Sequence, residues 1–315
     1  MYEGLASILS VMRDGLVQMG PYILLGVVVS ALIKTWKLDR RLWVVLNRGG
    51  FWVILLAVLA GIFSPMCSCG ILPIVITLIE AGSPLAPAMA LLITSPIADP
   101  AAIMLNYGAL GLPLTIAKVA GAVFMGLLAG FTVRWLVKAG YLDEQEPFNG
   151  KPRKGYCDAK VDPSRPKDVP IDTALASSKV PFFFARAKDT TWLVGKYLLL
   201  ALFIQGVIMT YVPANWIYSF AGGNGPLSVV YAALLGIPLP VNGFTAVPVV
   251  KGLMHSGQGM GPGPAAAFLM AGPVTSIPAM AALFGAFKPR LFWVYLAVGF
   301  AGSVIVGYVS QLLIQ

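Results

Sequence analysis

The chain has 315 residues, of which 58% are hydrophobic and 11% are charged, and its formal net charge is +9. A composition this apolar is typical of an integral membrane protein and excludes a soluble globular domain. The positive charges lie in short loops beside apolar segments, as the positive-inside rule describes, which excludes nucleic acid as a partner.

Apolar blocks of about twenty residues recur along the chain and predict an all-α polytopic fold with roughly eight or more membrane segments. They cover residues 15–33, 51–79, 85–105, 113–133, 191–212, 226–254, 264–287 and 291–314. Charged residues flank the first block and no small-residue cleavage site follows it, so it is predicted to be a retained helix rather than a signal peptide. The expected location is the cell (inner or plasma) membrane, with lipid around a multi-pass protein.

Residues 139–189 are rich in Pro, Lys and Asp and lack a sustained apolar period, which predicts a solvated cytoplasmic linker. The linker divides the chain into a first membrane repeat, 1–138, and a second membrane repeat, 190–315. The two halves match at a nearly constant offset: Pro65, Pro73 and Gly82 correspond to Pro240, Pro248 and Gly257, and 90–100 corresponds to 267–277. This self-similarity predicts the internal repeat of a transporter.

The placement of Lys and Arg in the loops favours repeats of inverted topology. The loop 34–50 carries five Lys and Arg residues and its counterpart 209–225 carries none, whereas 106–112 is uncharged and its counterpart holds Lys288 and Arg290. Inversion requires an odd number of crossings in each half, so one stretch within 51–105 and its mate within 226–287 would be re-entrant. A simple count of eight spans would instead give parallel repeats, and the sequence leaves both arrangements open.

Each half contains two stretches in which Gly and Pro interrupt the apolar pattern. They are "SPMCSCGILP" (64–73) and "TSPIADP" (94–100) in the first half, and "PLPVNGFTAVP" (238–248) and "AGPVTSIP" (271–278) in the second. Irregular backbone at membrane depth is tolerated only inside protein or beside a water-filled cavity. We therefore expect the four stretches to meet near the midplane and build one central site, although isolated kinks remain the simpler alternative.

The first of these stretches carries Cys67 and Cys69 on either side of Ser68. A helix is predicted to begin after Gly70 with Pro73 in its first turn, which would put both sulfurs near a helix N-terminus and favour the thiolate. Two such sulfurs can chelate one thiophilic atom in an extended turn but not within a regular helix. The alternative is that both cysteines only pack the turn.

Polar side chains at the interruptions are candidate solute ligands beside the cysteines, namely Ser68, Thr94, Ser95, Asn242, Thr275 and Ser276. Asp99 is an intramembrane carboxylate of the kind that marks ion or proton traffic, or it caps a half-helix. Lys118 is expected to extend to the membrane surface. The sequence contains one histidine and no nucleotide-binding motif, so we expect no structural zinc site, no other metal and no cofactor.

The stretches "CSCGILPIVITLIEAGSPLAPAMALLITSPIADP" and "PVNGFTAVPVVKGLMHSGQGMGPGPAAAFLMAGPVTSIP" resemble the ArsP/YraQ-like permease family. The resemblance covers both membrane halves and not the linker. It implies a secondary permease rather than an enzyme, with Cys67 and Cys69 as candidate ligands. Studied members of the family export trivalent organoarsenicals such as methylarsenite, which makes a small thiophilic solute the expected partner.

Two other functions remain open from the sequence. One is a membrane thiol oxidoreductase in which Cys67 and Cys69 cycle to a disulfide, which their spacing disfavours. The other is a permease for a metal ion or a sulfur-containing anion, with the cysteines only packing. The oligomeric state is also open, and a homo-oligomer is compatible with the sequence.

Overall fold

The computed structural model describes residues 51–64, 66–80, 83–143, 147–148, 226–237, 243, 245–255 and 259–314, with isolated positions elsewhere in 10–50 and 195–207. Every regular element in these ranges is an α-helix, which agrees with the predicted all-α membrane fold. The apolar blocks 15–33 and 191–212 and most of the linker lie outside the described residues.

The described ranges contain ten helices. In the first half these are α1 (Phe51–Ile62), α2 (Ser68–Glu80), α3 (Leu85–Thr94), α4 (Pro100–Leu110) and α5 (Leu112–Lys138); in the second half they are α6 (Pro226–Leu235), α7 (Ala246–His255), α8 (Pro262–Thr275), α9 (Ile277–Ala286) and α10 (Pro289–Leu313). Pro lies in the first turn of α4, α5, α8, α9 and α10, where its fixed φ suits a helix start and its missing N–H costs nothing.

Helices α5 and α10 are long and apolar enough to cross a membrane, with 27 and 25 residues. The pair α8 and α9 meets the same criterion if it is taken as one span bent by 42°. The apolar blocks 51–79, 85–105, 226–254 and 264–287 each divide into two shorter helices. The described residues thus supply two helices of spanning length, or three with the bent pair, and the roughly eight segments expected from sequence stay a prediction.

Helices α5 and α10 pack against each other along small residues and run antiparallel. Gly121 of α5 faces Val306 of α10, and one turn later Met125 faces Gly302. From one contact to the next, the residue number increases on α5 and decreases on α10, as it does in an antiparallel pair. A Cβ on Gly121 would lie 2.8 Å from the Val306 side chain, so the glycine is what permits this close approach.

Helices α1 and α3 both run antiparallel to α5 and end beside its middle. The contacts that show this are Gly126 with Val58 and Thr94, and, one turn later on α5, Gly130 with Ile54 and Ala90. Because Gly126 lies near the centre of α5, the C-terminal ends of α1 and α3 lie at half the depth of that helix. Helix α2 starts beside the C-terminal end of α3. Residues 81–84 join the end of α2 to the beginning of α3, so the two helices run antiparallel.

Helix α4 continues past the end of α3 along the other half of α5. The Asn106 Nδ2 donates to Thr115 Oγ1 at 3.1 Å, which joins α4 to the beginning of α5. The single residue between the two helices is Gly111, whose φ of 85° lies in the left-handed region that favours glycine. Together, α3 and α4 thus follow the full length of α5.

In the second half, α8 runs antiparallel to α10. Gly307 faces Val229 of α6 and Ala267 of α8, and Gly299, near the centre of α10, lies against Val274 at the end of α8. Helix α7 packs against α8 and α4, and α2 packs against α9, so the short helices of each half also contact the other half.

The start of the linker lies at the same end of the molecule as Lys288 and Arg290. The Lys288 N–H donates to the Pro147 carbonyl at 2.8 Å, and the Phe148 and Phe287 rings stack with centroids 5.6 Å apart. The Arg290 guanidinium lies over the Tyr141 ring. Two segments that the charge pattern assigns to one side of the membrane, the start of the linker and the turn with Lys288 and Arg290, are therefore together; the basic residues of 34–49 lie outside the described residues.

The Gly126 contact can be tested by adding one methyl group. A Cβ at this position would overlap the Thr94 hydroxyl and lie 2.7 Å from the Val58 side chain. Overpacking of this kind costs about 1–3 kcal/mol. We expect Gly126→Ala to lower the melting temperature of the detergent-purified protein. Gly108→Ala is the control, because nothing lies within 4 Å of a Cβ there. Equal melting of the two variants would contradict the packing.

Candidate functional site

The first-half tip, residues 63–67, joins α1 to α2 and carries a half-buried cysteine. The Cys67 carbonyl accepts hydrogen bonds from the N–H groups of Gly70 and Ile71, both at 3.0 Å. Cys67 thereby caps α2, and its side chain packs at the edge of the apolar core. Cys67 is not in a disulfide bond with any described residue.

Helix α2 begins at Ser68, and Pro73 lies inside it. The prediction that this helix begins after Gly70 with Pro73 in its first turn is therefore wrong. The Cys67 carbonyl captures the amides that follow it, which starts the helix at the tip itself. Cys69 consequently lies in the first turn of α2, while Cys67 lies just outside the helix; the Cys69 side chain lies outside the described residues.

The first-half break, residues 95–99, separates α3 from α4 and is tied to the first-half tip. The Ser95 hydroxyl donates to the Met66 carbonyl at 3.1 Å, and both Ser95 and its neighbour Thr94 are buried. The Thr94 hydroxyl donates to the Ala90 carbonyl of its own helix at 2.8 Å. Ser95 therefore joins two interruptions of the first half, whereas Thr94 has its partner within α3.

Asp99 ends the first-half break and caps α4. Its carboxylate accepts the Ala101 N–H at 3.0 Å, and only 9% of the residue is exposed. The capping role that the sequence offered as an alternative is thus present. It does not exclude ion coupling, because a carboxylate that accepts one amide retains other lone pairs.

The second half has a tip at 236–245 and a break at Ser276. Of the second-half tip the structure describes 236, 237, 243 and 245, so Asn242 lies outside the described residues. Ser276 lies at the N-terminus of α9, largely buried and without a side-chain capping bond. The Thr275 hydroxyl donates to the Ala271 carbonyl at 2.8 Å, one turn back on α8, as Thr94 does on α3.

Contacts between the halves join the interruptions of the first half to those of the second half. The Ser68 hydroxyl donates to the Pro273 carbonyl of α8 at 3.0 Å, in a buried hydrogen bond. A Cβ on Gly243 would lie 3.1 Å from the Ala102 Cβ and 3.4 Å from the Pro96 carbonyl oxygen. With the bond between Ser95 and Met66, these contacts connect all four interruptions that the sequence identifies.

Lys118 is a buried cation at this junction and was missed as a site residue. Only 1% of it is exposed, and its Nζ donates to the Gly243 carbonyl at 3.4 Å. The prediction that Lys118 reaches the membrane surface is therefore wrong. Lys118 lies on the same face of α5 as Gly121 and Ala122, which are also buried. This spacing of three and four residues is the sequence signal that could have indicated the burial of Lys118.

Tyr295 of α10 makes a comparable buried contact in the second half. Its hydroxyl donates to the Val274 carbonyl at 2.9 Å, and 1% of the residue is exposed. Among the described residues, the junction therefore combines hydroxyl groups, the Lys118 amine, the Asp99 carboxyl group and the Cys67 sulfur with backbone carbonyls that accept side-chain hydrogen bonds. Among the described residues, no group of three or more His, Cys, Asp or Glu side chains could hold a metal ion.

Comparison with known proteins gives the family. Residues 4–312 match the ArsP_1 family model, whose description is a predicted permease. The UPF0718 protein YcgR of Bacillus subtilis is 25% identical over 300 residues, which cover 92% of this chain and 94% of the relative. The UPF0718 protein YraQ of Escherichia coli is 26% identical over 294 residues, which cover 91% and 76%.

A Streptococcus mutans protein named as a putative two-component membrane permease complex subunit is 26% identical over 307 residues, which cover 96% of this chain and 93% of the relative. No solved structure matches the chain. The family match spans nearly all of the sequence and both helical halves. The chain belongs to the ArsP_1 family of predicted permeases, as its resemblance to ArsP/YraQ-like permeases implied.

Proposed function

We propose that the chain is a secondary-active permease that exports a thiophilic small molecule, with trivalent organoarsenicals such as methylarsenite as the first candidate. The cargo binds where the tips and breaks of two inverted repeats meet. The repeats are residues 1–138 and 190–315, and 139–189 is the cytoplasmic linker. The observation that carries the proposal is the buried hydrogen bond from Ser68, beside Cys67, to the opposite half at Pro273.

Matched glycine contacts support the internal repeat. Gly130 packs on Ile54 and Ala90, and Gly307 packs on Val229 and Ala267. Gly307 follows Gly130 by 177 residues, Val229 follows Ile54 by 175, and Ala267 follows Ala90 by 177. These are the offsets that the sequence alone gives for the two parts of each half. One three-helix contact is therefore present twice, with each member at its repeat-matched position.

A second matched contact lies where α1 and α6 end. A Cβ on Gly61 would lie 3.3 Å from the Ser95 nitrogen, and a Cβ on Gly236 would lie 2.9 Å from the Gly272 nitrogen. Gly236 follows Gly61 by 175 residues and Gly272 follows Ser95 by 177. Both glycines allow a helix end to approach the backbone of the next broken helix, as a site built from half-helices requires.

The directions of the helices favour inversion over parallel repeats. Repeat mates α5 and α10 are of spanning length and run antiparallel, so equivalent helices cross in opposite senses. In the first half, α1 reaches mid-depth and α2 returns along α3, which is the arrangement of a re-entrant segment, and we expect the same of α6 and α7. The paired helices that follow, α3–α4 and α8–α9, then act as broken spans.

The matched cross-contacts support a site at mid-depth. Residue 243 follows residue 68 by 175, and Pro273 follows Pro96 by 177. Ser68 lies against the Pro273 carbonyl and Gly243 against the Pro96 carbonyl, so the first interruption of each repeat lies on the second interruption of the other. Rocking of one repeat against the other would open this junction to each side in turn, which is the basis of alternating access.

Cys67 and Cys69 are the proposed soft ligands. Cys67 is the half-buried cap of α2 and Cys69 lies in its first turn, so the pair does not have the geometry of two positions within a regular helix. Arsenic(III) prefers thiolate, and a helix N-terminus favours the thiolate form. Ser68, Ser95 and Ser276, with Thr94, Asn242 and Thr275, are the proposed polar lining.

The cysteine assignment is tested by transport of methylarsenite into everted membrane vesicles. Loss of one sulfur ligand removes at least about 1.4 kcal/mol of binding, a factor of ten. We expect Cys67→Ser and Cys69→Ser each to reduce uptake at low substrate by at least that factor. Cys157→Ser, in the linker, is the matched control and should transport normally. Wild-type uptake by the double variant would mean that the cysteines pack the tip and are not ligands. Absence of methylarsenite uptake by the wild-type protein would favour a metal ion or a sulfur-containing anion as cargo.

Asp99 is the proposed site of the coupling proton. Asn cannot exchange a proton, so we expect Asp99→Asn to retain exchange of labelled for unlabelled methylarsenite in proteoliposomes and to lose accumulation driven by a pH gradient. The same substitution at exposed Asp143, near the start of the linker, should change neither rate. Normal gradient-driven accumulation by Asp99→Asn would remove Asp99 from the coupling step.

A partner subunit is a further part of the proposal. The Streptococcus mutans relative is named as a subunit of a two-component complex, which supports an assembly of this chain with a second membrane component in addition to any homo-oligomer. Its lipid-facing surface would then be shared with that component.

A further inference from the structure

The groove between α4 and α5 contains a buried oxygen atom without a donor. Asn106 is fully buried, and its Oδ1 accepts no hydrogen bond in the part of the chain that the structure describes. The amide nitrogen of Asn106 donates to Thr115 Oγ1 at 3.1 Å, and that hydroxyl donates to the Gly111 carbonyl at 2.8 Å. Because Thr115 must accept from the amide nitrogen, the amide cannot turn over. A buried oxygen left in this way is costly and indicates a ligand.

The Lys118 amine has donors to spare in the same groove. Lys118 follows Thr115 by one turn of α5, and long side chains lean toward the N-terminus of their helix, which here is toward Thr115 and Asn106. Only 1% of Lys118 is exposed, and its described hydrogen bond to the Gly243 carbonyl is 3.4 Å long. The usual N–H···O distance is about 2.7–3.2 Å, and a lysine nitrogen can donate more than one hydrogen bond.

The described residues packed around the groove supply no donor for Asn106. Helix α7 packs on α4, and both contribute with α5 to one apolar cluster. The ionisable side chains of Tyr107 on α4 and Lys251 on α7 are exposed. The apolar residues at this end of the groove are Ala109, Leu110, Leu114, Val247 and Val250. The partner of the Asn106 oxygen therefore comes from solvent or from the cargo.

The chemistry of the two groups selects the ligand. An anion would accept from Lys118 but meet the Asn106 oxygen, and a metal cation would bind that oxygen but meet the amine hydrogens. A neutral hydroxyl group satisfies both, because it accepts and donates at once. We propose that the groove is a hydroxyl site, in which the bound group accepts from Lys118 Nζ and donates to Asn106 Oδ1. Water carries such a group, and so does a hydrated cargo such as methylarsenite.

The hydroxyl site lies on one side of the junction only. Helix α4 leads from the first-half break to Gly111, at the opposite end of α5 from the linker. The groove between α9 and α10 leads the other way, and its residues at the offset of 177 are Leu283 for Asn106 and Phe292 for Thr115. Leu283 is buried, and Phe292 packs against the apolar core. With the linker in the cytoplasm, the site is on the outer side of the junction.

This position gives the hydroxyl site a role in cargo release, and here the inference rests on the proposed function. Methylarsenite bound by two cysteines has exchanged both of its hydroxyl groups for sulfur. Two water molecules reverse the exchange: two As–S bonds break, two As–O bonds form, one proton from each water returns to a sulfur, and arsenic stays trivalent. A site that binds the hydroxyl form and not the sulfur-bound form favours release on its own side.

The first test requires no transport. Crystals of the purified protein are grown without cargo and with methylarsenite, and diffraction is measured on both sides of the arsenic absorption edge. We expect density between Asn106 Oδ1 and Lys118 Nζ in both crystals, with an arsenic signal beside it when methylarsenite is present. Density without arsenic would identify water, which keeps the hydroxyl site and overturns its role in release. An empty groove in both crystals overturns the inference.

The second test asks whether Asn106 and Lys118 share one bound group. Asn106→Leu introduces the residue of the matched position, and Lys118→Met removes the amine. If one hydroxyl joins them, the double variant melts no lower than the less stable single variant, because each substitution removes the same bridge. Decreases in melting temperature that add would mean that no group is shared, and would overturn the site. The wild-type crystals decide the point if a variant does not fold.

The third test measures the outer side separately. Everted vesicles are preloaded with methylarsenite, and the lumenal concentration that halves uptake is determined. We expect Asn106→Leu to raise this concentration about two- to tenfold, the range for one hydrogen bond, and to leave the KM on the cytoplasmic side unchanged. Ser303→Ala, which removes a buried hydroxyl bonded within α10, is the control and should change neither.

The outcomes separate the hydroxyl site from the proposed function. Equal changes of both constants in Asn106→Leu would mean a general structural effect and would overturn the role in release. If the wild-type protein takes up no methylarsenite while the crystals without cargo show the bound water, the proposed cargo is wrong and the hydroxyl site stands. If uptake depends on Cys67 and Cys69 while the groove is empty, the proposed function stands and the hydroxyl site is wrong.

Discussion

Backbone carbonyls that lose their helical partner inside the protein are satisfied by side chains from other elements. The carbonyl of Val274 would accept a hydrogen bond from residue 278 in a continuous helix, but that residue is a proline and has no N–H. Tyr295 supplies the donor instead. Ser68 does the same for the Pro273 carbonyl, and Ser95 for that of Met66. Each such group left unpaired in hydrocarbon would cost several kcal/mol, about the range for a buried amide.

This requirement explains why the interrupted helices converge. A break can exist at mid-depth only where donors reach it, and the donors at hand are on the tips and long helices of the two halves. Glycines on α5 and α10 bring the backbones close enough for short side chains such as Ser68 to span the gap. Packing of small residues and pairing of broken backbone are thus two parts of one arrangement, and loss of either would expose unsatisfied carbonyls to lipid.

The sequence predicts the helical class, the interruptions and the offsets at which contacts repeat, because Gly and Pro act locally and their spacing is visible. It does not predict where α2 begins, since the Cys67 carbonyl determines that start through amides three and four residues ahead. Nor does it predict the burial of Lys118. A lysine near the start of an apolar helix reaches the surface or the interior according to which neighbours cover its face, and that depends on the Gly243 tip, 125 residues away.

The two halves have matched backbone contacts and unmatched chemistry. Cys67, Ser68 and Cys69 correspond to Asn242, Gly243 and Phe244, and the charged pair Asp99 and Lys118 corresponds to Ser276 and Tyr295. Equal backbones would let the two repeats exchange conformations at small energetic cost, since an interaction that breaks in one half can form at the matched place in the other. Unequal side chains break that equivalence. A ligand shifts the equilibrium between two conformations only by its differential affinity for them. A soft ligand and a titratable carboxylate in the same half would therefore let both cargo and proton shift an equilibrium that the matched backbones leave balanced.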